Sequence, residues 1–206
     1  MHRHNLQLAV LSLLAAMVGC SYTPSRVQMP KIDSQDSGTA AIEQYDGDKN
    51  GLLSSAELAQ VPGIQKALKQ YDQDKDGSVS AEEISQRIKA WRAAKTGMKP
   101  AYCLVTLDVR PLKGAEVKFI PEPFLGTHVK PATGVTNDGG MANMGINTSD
   151  LPTDQHSLIG VQCGVYRIEV THPQRSVPPQ YNANSVLGVE VAPGLVTEVR
   201  LALKSS

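Results

Sequence analysis

The chain has 206 residues, enough for one domain or two small ones. Apolar content allows a packed core, and Lys plus Arg equals Asp plus Glu at 20 each, so the net charge is zero. No basic patch or stripe stands out, which argues against nucleic acid as a partner. At the N-terminus, MHRHN carries Arg3, and an apolar run over residues 6–18 follows with only Gln7 and Ser12 as polar members. That run is shorter than the ~20 residues a membrane helix needs. A basic start, a short apolar run and then small residues read as an export signal over residues 1–19.

The run closes on Met17-Val18-Gly19-Cys20. This resembles the bacterial lipobox, with Met17 where Leu is usual. The resemblance implies lipidation of Cys20 and places the protein in the bacterial cell envelope, anchored to a lipid bilayer and facing outside the cytoplasm. Residues 20–38, with Pro, Ser and Gly and few large apolar side chains, read as a flexible tether.

Residues 39–96 carry helical patterns. Ile64, Leu68 and Tyr71, and again Ile84, Ile88 and Trp91, are spaced by four and three, which puts each set on one helix face. Pro62 suits a first helical turn. Ser54-x-x-Glu57 and Ser80-x-x-Glu83 are capping boxes, and Gly97 is a stop signal.

Within this region YDGDKNGLLSSAE (45–57) repeats without a gap as YDQDKDGSVSAEE (71–83). Both fit the pattern D-x-[DN]-x-[DN]-G-x5-E. Calcium takes six to eight oxygens, and a short loop can wrap them around it. Loop positions 1, 3 and 5 offer Asp46, Asp48 and Asn50 in the first copy and Asp72, Asp74 and Asp76 in the second. Gly51 and Gly77 allow the sharp turn at position 6. Leu52 and Ser78 offer backbone carbonyls at position 7, Ser54 and Ser80 a direct or water-borne oxygen at position 9, and Glu57 and Glu83 a chelating carboxylate at position 12. The apolar residues at position 8, Leu53 and Val79, can pair across a short strand between the loops. The segment resembles the EF-hand family, which implies two Ca2+ sites.

The loops are separated by fourteen residues, Leu58 to Tyr71, including Pro62-Gly63. The helix leaving the first loop must therefore be short, about Ser55 to Gln60, with little apolar face to expose on opening. Calcium is expected to be mainly structural. The second loop offers four candidate carboxylates against three in the first and is expected to bind more tightly.

After a boundary at Thr96–Pro100 the texture changes. YCLVTLD, AEVKFI, YRIEVT, SVLGVEV and LVTEVRLAL are short, β-branched and separated by turn signals. In the last, Leu195, Val199, Leu201 and Leu203 alternate with Val196, Glu198, Arg200 and Ala202, the period of a half-buried strand. Pro111-Leu112-x-Gly114-Ala115-x-Val117-x-Phe119, Thr136-Asn137-Asp138-Gly139-Gly140 and Gly164-x-Tyr166-x-Ile168-x-Val170 together resemble carboxypeptidase regulatory-like domains. The resemblance implies a transthyretin-like sandwich over 101–206. The expected fold class is α+β multidomain, a small helical EF-hand pair followed by an antiparallel β-sandwich.

Cys103 and Cys163 would lie in an oxidising compartment, where a disulfide closing about sixty residues contributes roughly 4 kcal/mol. No G-x-S-x-G, H-E-x-x-H or P-loop is present. The expected function is therefore non-catalytic: a calcium-binding envelope lipoprotein whose sandwich meets another envelope protein or a glycan. Two alternatives are a hydrolase using His128, His156 or His172 in the sandwich loops, and a purely structural envelope protein.

Overall fold

Asp33 sets where the helical region starts. In the computed structural model, which describes residues 29–194 and 197–205, its carboxylate accepts hydrogen bonds from the Gln35 and Asp36 amides and caps helix α1, Ser34–Tyr45. The expected signal peptide, residues 20–28 of the expected tether with Cys20, and Leu195, Val196 and Ser206 lie outside the described residues.

The far end of the expected tether is corrected. Ile32 is buried, as are Ser34, Ser37 and Gly38. The reason is close packing of α1 on the last helix of the region, α5 (Ala81–Ala93): a Cβ on Gly38 would lie 2.3 Å from the Ala81 carbonyl oxygen. Backbone contact of this kind needs small residues, so the segment lacks the large apolar side chains that mark a buried helix.

Between these outer helices lie strand β1 (Leu52–Leu53), helices α2 (Ser55–Leu58), α3 (Pro62–Lys66) and α4 (Leu68–Tyr71), and strand β2 (Val79–Ser80). Leu53 and Val79 pair across β1 and β2 as expected, and both are fully buried. The helix leaving the first loop is short, and Pro62 begins α3 in its first turn. After α5 the positive-φ residue is Lys95 (φ 53°), rather than the expected Gly97.

The β-region comprises β3 (Met98–Lys99), β4 (Ala101–Leu107), β5 (Arg110–Pro111), β6 (Glu116–Pro121), β7 (Ala132–Val135), β8 (Met141–Ile146), β9 (Val161–Gln162), β10 (Gly164–Thr171), β11 (Gly188–Val191) and β12 (Thr197–Leu203). The principal strand order is β11-β10-β6-β7-β8-β4-β12, with β5 paired to β4 and a separate β3–β9 pair. Inward faces alternate as the period-two reading requires: Cys103 and Val105 in β4, and Val199, Leu201 and Leu203 in β12, are buried. The region is an antiparallel β-sandwich with one departure, since β12 runs parallel to β4. Its predecessor β11 lies at the opposite end of the strand order, so the chain crosses over instead of turning back on itself.

The first hairpin turns at Asp108 (φ 48°) and Val109 (φ 62°), ahead of Pro111. The quoted Pro-Leu-x-Gly-Ala stretch instead leads into β6. There Thr136 Oγ1 donates to the Leu112 carbonyl and accepts from the Ala115 amide, joining two of the sequence motifs.

The helical region and the sandwich share one apolar core. They meet glycine on glycine. A Cβ on Gly188 of β11 would lie 2.2 Å from the Gly63 amide nitrogen of α3, and one on Gly63 would lie 2.5 Å from Val165.

The expected disulfide is overturned: Cys103 and Cys163 are both free and buried. Cys103 sits mid-β4 between Ala142 and Val199, while the Cys163 thiol faces the Thr96 carbonyl at 3.5 Å. Burial pushes the Cys103 thiol up to about 12 and the Cys163 thiol up to about 11. Both are inert packing residues at neutral pH.

Candidate metal centre

The two acidic loops adopt the same backbone path. Lys49 (φ 60°) and Gly51 (φ 86°) in the first correspond to Lys75 (φ 65°) and Gly77 (φ 86°) in the second. Nothing lies within 4 Å of a Cβ built on either glycine, so the residue answers a dihedral demand and not a lack of space. The lysine at position 4 also takes the left-handed region.

This path folds the carboxylates inward. Asp46 accepts from the Asn50 amide (3.2 Å) and, through its other oxygen, from the Gly51 amide (2.8 Å). Asp72 Oδ2 accepts from the Gly77 amide at 3.1 Å. At position 5, Asn50 accepts from the Leu52 amide and Asp76 from the Ser78 amide.

Glutamate at position 12 ties each loop's end to its start. Glu57 accepts from the Gly47 amide (2.7 Å) and from both the amide and hydroxyl of Ser54. Glu83 accepts from the Gln73 amide (2.9 Å) and from both groups of Ser80. Glu57 is lowered to about 2, first by the Ser54 hydroxyl and then by the Ser54 and Gly47 amides. For Glu83, burial pushes upward, but the Ser80 and Gln73 amides outweigh it and the carboxyl is lowered.

Ligand atoms of Asp46, Asp48 and Glu57 lie within 4.8 Å of one another, as do those of Asp72, Asp74 and Asp76. Among the described residues these are the clusters of His, Cys, Asp and Glu able to hold a metal. Glu83 is not drawn into the second cluster, and the Ser54 and Ser80 hydroxyls are turned to their glutamates. Asp72 Oδ1 is buried and has no hydrogen-bond partner, which is costly unless a cation meets it. The hard-oxygen donor set and this orphaned oxygen both fit calcium.

The three histidines are not brought together. His156 Nε2 meets the Leu151 carbonyl, His172 spans the Lys113 carbonyl and the Gln174 amide, and His128 is exposed on a separate loop. Phe119 and Tyr166 are buried as a tilted pair with centroids 5.8 Å apart.

Two carboxylates in the β-region were missed by sequence reasoning. Tyr45, the residue before Asp46, donates its hydroxyl to buried Glu122 at 2.7 Å, and its ring meets Phe124 edge-on. Arg87 of α5 donates twice to Glu190 of β11, at 2.7 and 2.8 Å, and Trp91 Nε1 donates to the same carboxylate at 3.1 Å. The repeated tyrosine ahead of each loop was the one available signal. Its partners lie too far along the chain to be found by spacing.

The family model described as EF hand matches residues 64–89, which covers the second loop, α4 and most of α5. A comparison with curated proteins gives no match. Among solved structures, a 9R-lipoxygenase from Cyanothece PCC8801 is 12% identical with a TM-score of 0.27, covering 82% of this chain and 24% of that one. The chain thus spans about a quarter of that protein's length, and the low score carries no argument about fold. The EF-hand match and the two acidic clusters support calcium binding.

Proposed function

We propose that the protein is a calcium-binding envelope lipoprotein with two calcium sites, anchored through Cys20, in which calcium holds shape more than it switches. The observation that carries the reading is the convergence of three carboxylates in each of two loops joined back to back through β1 and β2. Asp46, Asp48, Asn50, Leu52, Ser54 and Glu57 would hold one ion, and Asp72, Asp74, Asp76, Ser78, Ser80 and Glu83 the other. Bound calcium supplies positive charge that relieves the crowding of these carboxylates. Support for the structural role comes from the short α2 and from the glycine-tight seat of α3 on β11, which leave little face to open.

The β-sandwich is read as a carboxypeptidase regulatory-like interaction module, for another envelope protein or a glycan. Support comes from Thr136, which ties together the two turns that carry the resemblance. Catalysis is not part of the proposal.

Calorimetric titration of the chain with calcium tests the reading, with melting followed in calcium and in chelator. Two sites and a higher melting temperature in calcium are expected. An ion bound only by the folded state at a hundred times its dissociation constant adds about 2.7 kcal/mol. An unchanged melting temperature would overturn the structural role, and an absence of binding heat would overturn calcium itself.

A further inference from the structure

We infer that Glu122 and Glu190, two buried carboxylates of the β-sandwich, are positioning residues for the two calcium loops, each governing one loop. The inference rests on the calcium reading above and goes beyond it by assigning loop affinity to residues far from either loop.

The geometry is parallel at the two sites. Tyr45 is the last residue of α1 and directly precedes Asp46, and its hydroxyl donates to Glu122, 77 residues away. Glu122 is 1% exposed, so this anchor is shielded from competing water. Pro123–Leu125 forms a short 3-10 turn after Glu122, and Phe124 in that turn packs against the Tyr45 ring. The end of α1, and with it Asp46, is thereby fixed against the sandwich.

At the second loop the anchor is stronger. Glu83, Arg87 and Trp91 are spaced by four on α5 and share one stripe of that helix. Glu83 closes the loop onto the Gln73 amide, while Arg87 and Trp91 both grip Glu190, 103 and 99 residues away. The Glu190 side chain is 2% exposed, and the Arg87 contact is two-pronged, which sets helix orientation as well as distance. Tyr71 directly precedes Asp72. Its ring lies under the Arg87 guanidinium at 6.0 Å, and its hydroxyl is buried without a hydrogen-bond partner. Both ends of the second loop therefore meet at Arg87, whose guanidinium Glu190 holds in place.

A loop whose ends are held in register loses less conformational freedom on binding an ion than one whose ends are loose. Removing an anchor should therefore weaken its own loop and spare the other. A merely structural role would lower stability without choosing between loops.

The test is amide NMR of the whole chain titrated with calcium, following Gly51 and Gly77 separately, for the native protein, Glu190→Gln and Tyr45→Phe. Glu190→Gln should weaken binding at Gly77 about fivefold or more while leaving Gly51 within about twofold. Tyr45→Phe, which removes one oxygen and keeps the ring, should weaken Gly51 selectively. Should Glu190→Gln fail to fold, the Tyr45→Phe arm decides alone. Unchanged affinities, or equal losses at both glycines in each variant, would overturn the positioning role while calcium binding stands. No calcium response at either glycine in the native protein would overturn the calcium reading and this inference with it.

Discussion

The two loops share a backbone path but not a setting. The first follows a 12-residue helix and leads into a 4-residue one, while the second follows a 4-residue helix and leads into a 13-residue one. The long helices are thus the outer two, and they pack on each other at Gly38. Of the short inner pieces, α3 is pinned to β11. The first loop hangs on a single hydroxyl at Glu122, whereas the second is held by a two-pronged cation and an indole at Glu190. Carboxylate count and anchoring favour the same loop, the second, and the family match falls on that loop as well. The difference teaches that near-identical ligand sequences can be given unequal stiffness by the surface they are mounted on.

The largest expected effect comes from removing the stronger anchor. Glu190→Ala leaves the partly buried Arg87 and the buried Trp91 indole without their partner and should cost about 3 kcal/mol in urea denaturation. Tyr45→Phe at the weaker anchor should cost about 1 kcal/mol. Equal costs would erase the asymmetry. Gly38→Ala should fall between the two, at about 2 kcal/mol, because its methyl must push α1 from α5. Since both loops depend on that packing, calcium affinity at both should fall together.

Calcium titrations of Glu57→Gln and Glu83→Gln sharpen the comparison further. The Glu83 variant should lose about tenfold more affinity at its own loop, equivalent to about 1.4 kcal/mol. A larger loss from Glu57→Gln would reverse the proposed order.

The smallest effect concerns acid without calcium. The folded carboxyls of Glu57 and Glu83 are lowered, so the unfolded chain binds their protons first. Their contribution is present above the unfolded range near 4.5 and is lost as pH falls, for Glu57 down to about 2. Because Glu57 is only partly buried, its part should shrink with added salt. Ser54→Ala removes the first cause of the Glu57 shift and should move its midpoint upward in a carboxylate NMR titration.

The acidic loops were legible because a loop pattern of this type is local. Twelve residues supply the acids, the glycine and the closing glutamate, and the structure folds them along the expected path. The Leu53–Val79 pairing and the brevity of α2 were legible for the same reason, as they follow from fixed offsets within the repeat. The start of α1 was missed because its buried face is built of Ser, Gly and Ala, which carry no amphipathic signal, although Asp33 was a readable cap. The free thiols were missed because an oxidising compartment only permits a bridge, while a bridge needs both sulfurs to face each other.

By itself, then, the sequence determined the loops, the change from helical to strand texture and the inward faces of the strands, all of which rest on periods and spacings of a dozen residues or fewer. Only the tertiary structure decided the parallel docking of β12 on β4, the glycine contact of α3 with β11 and the two carboxylates behind the tyrosines. Each depends on segments that meet through packing, and two buried glutamates carry no mark in sequence that separates them from those on the surface.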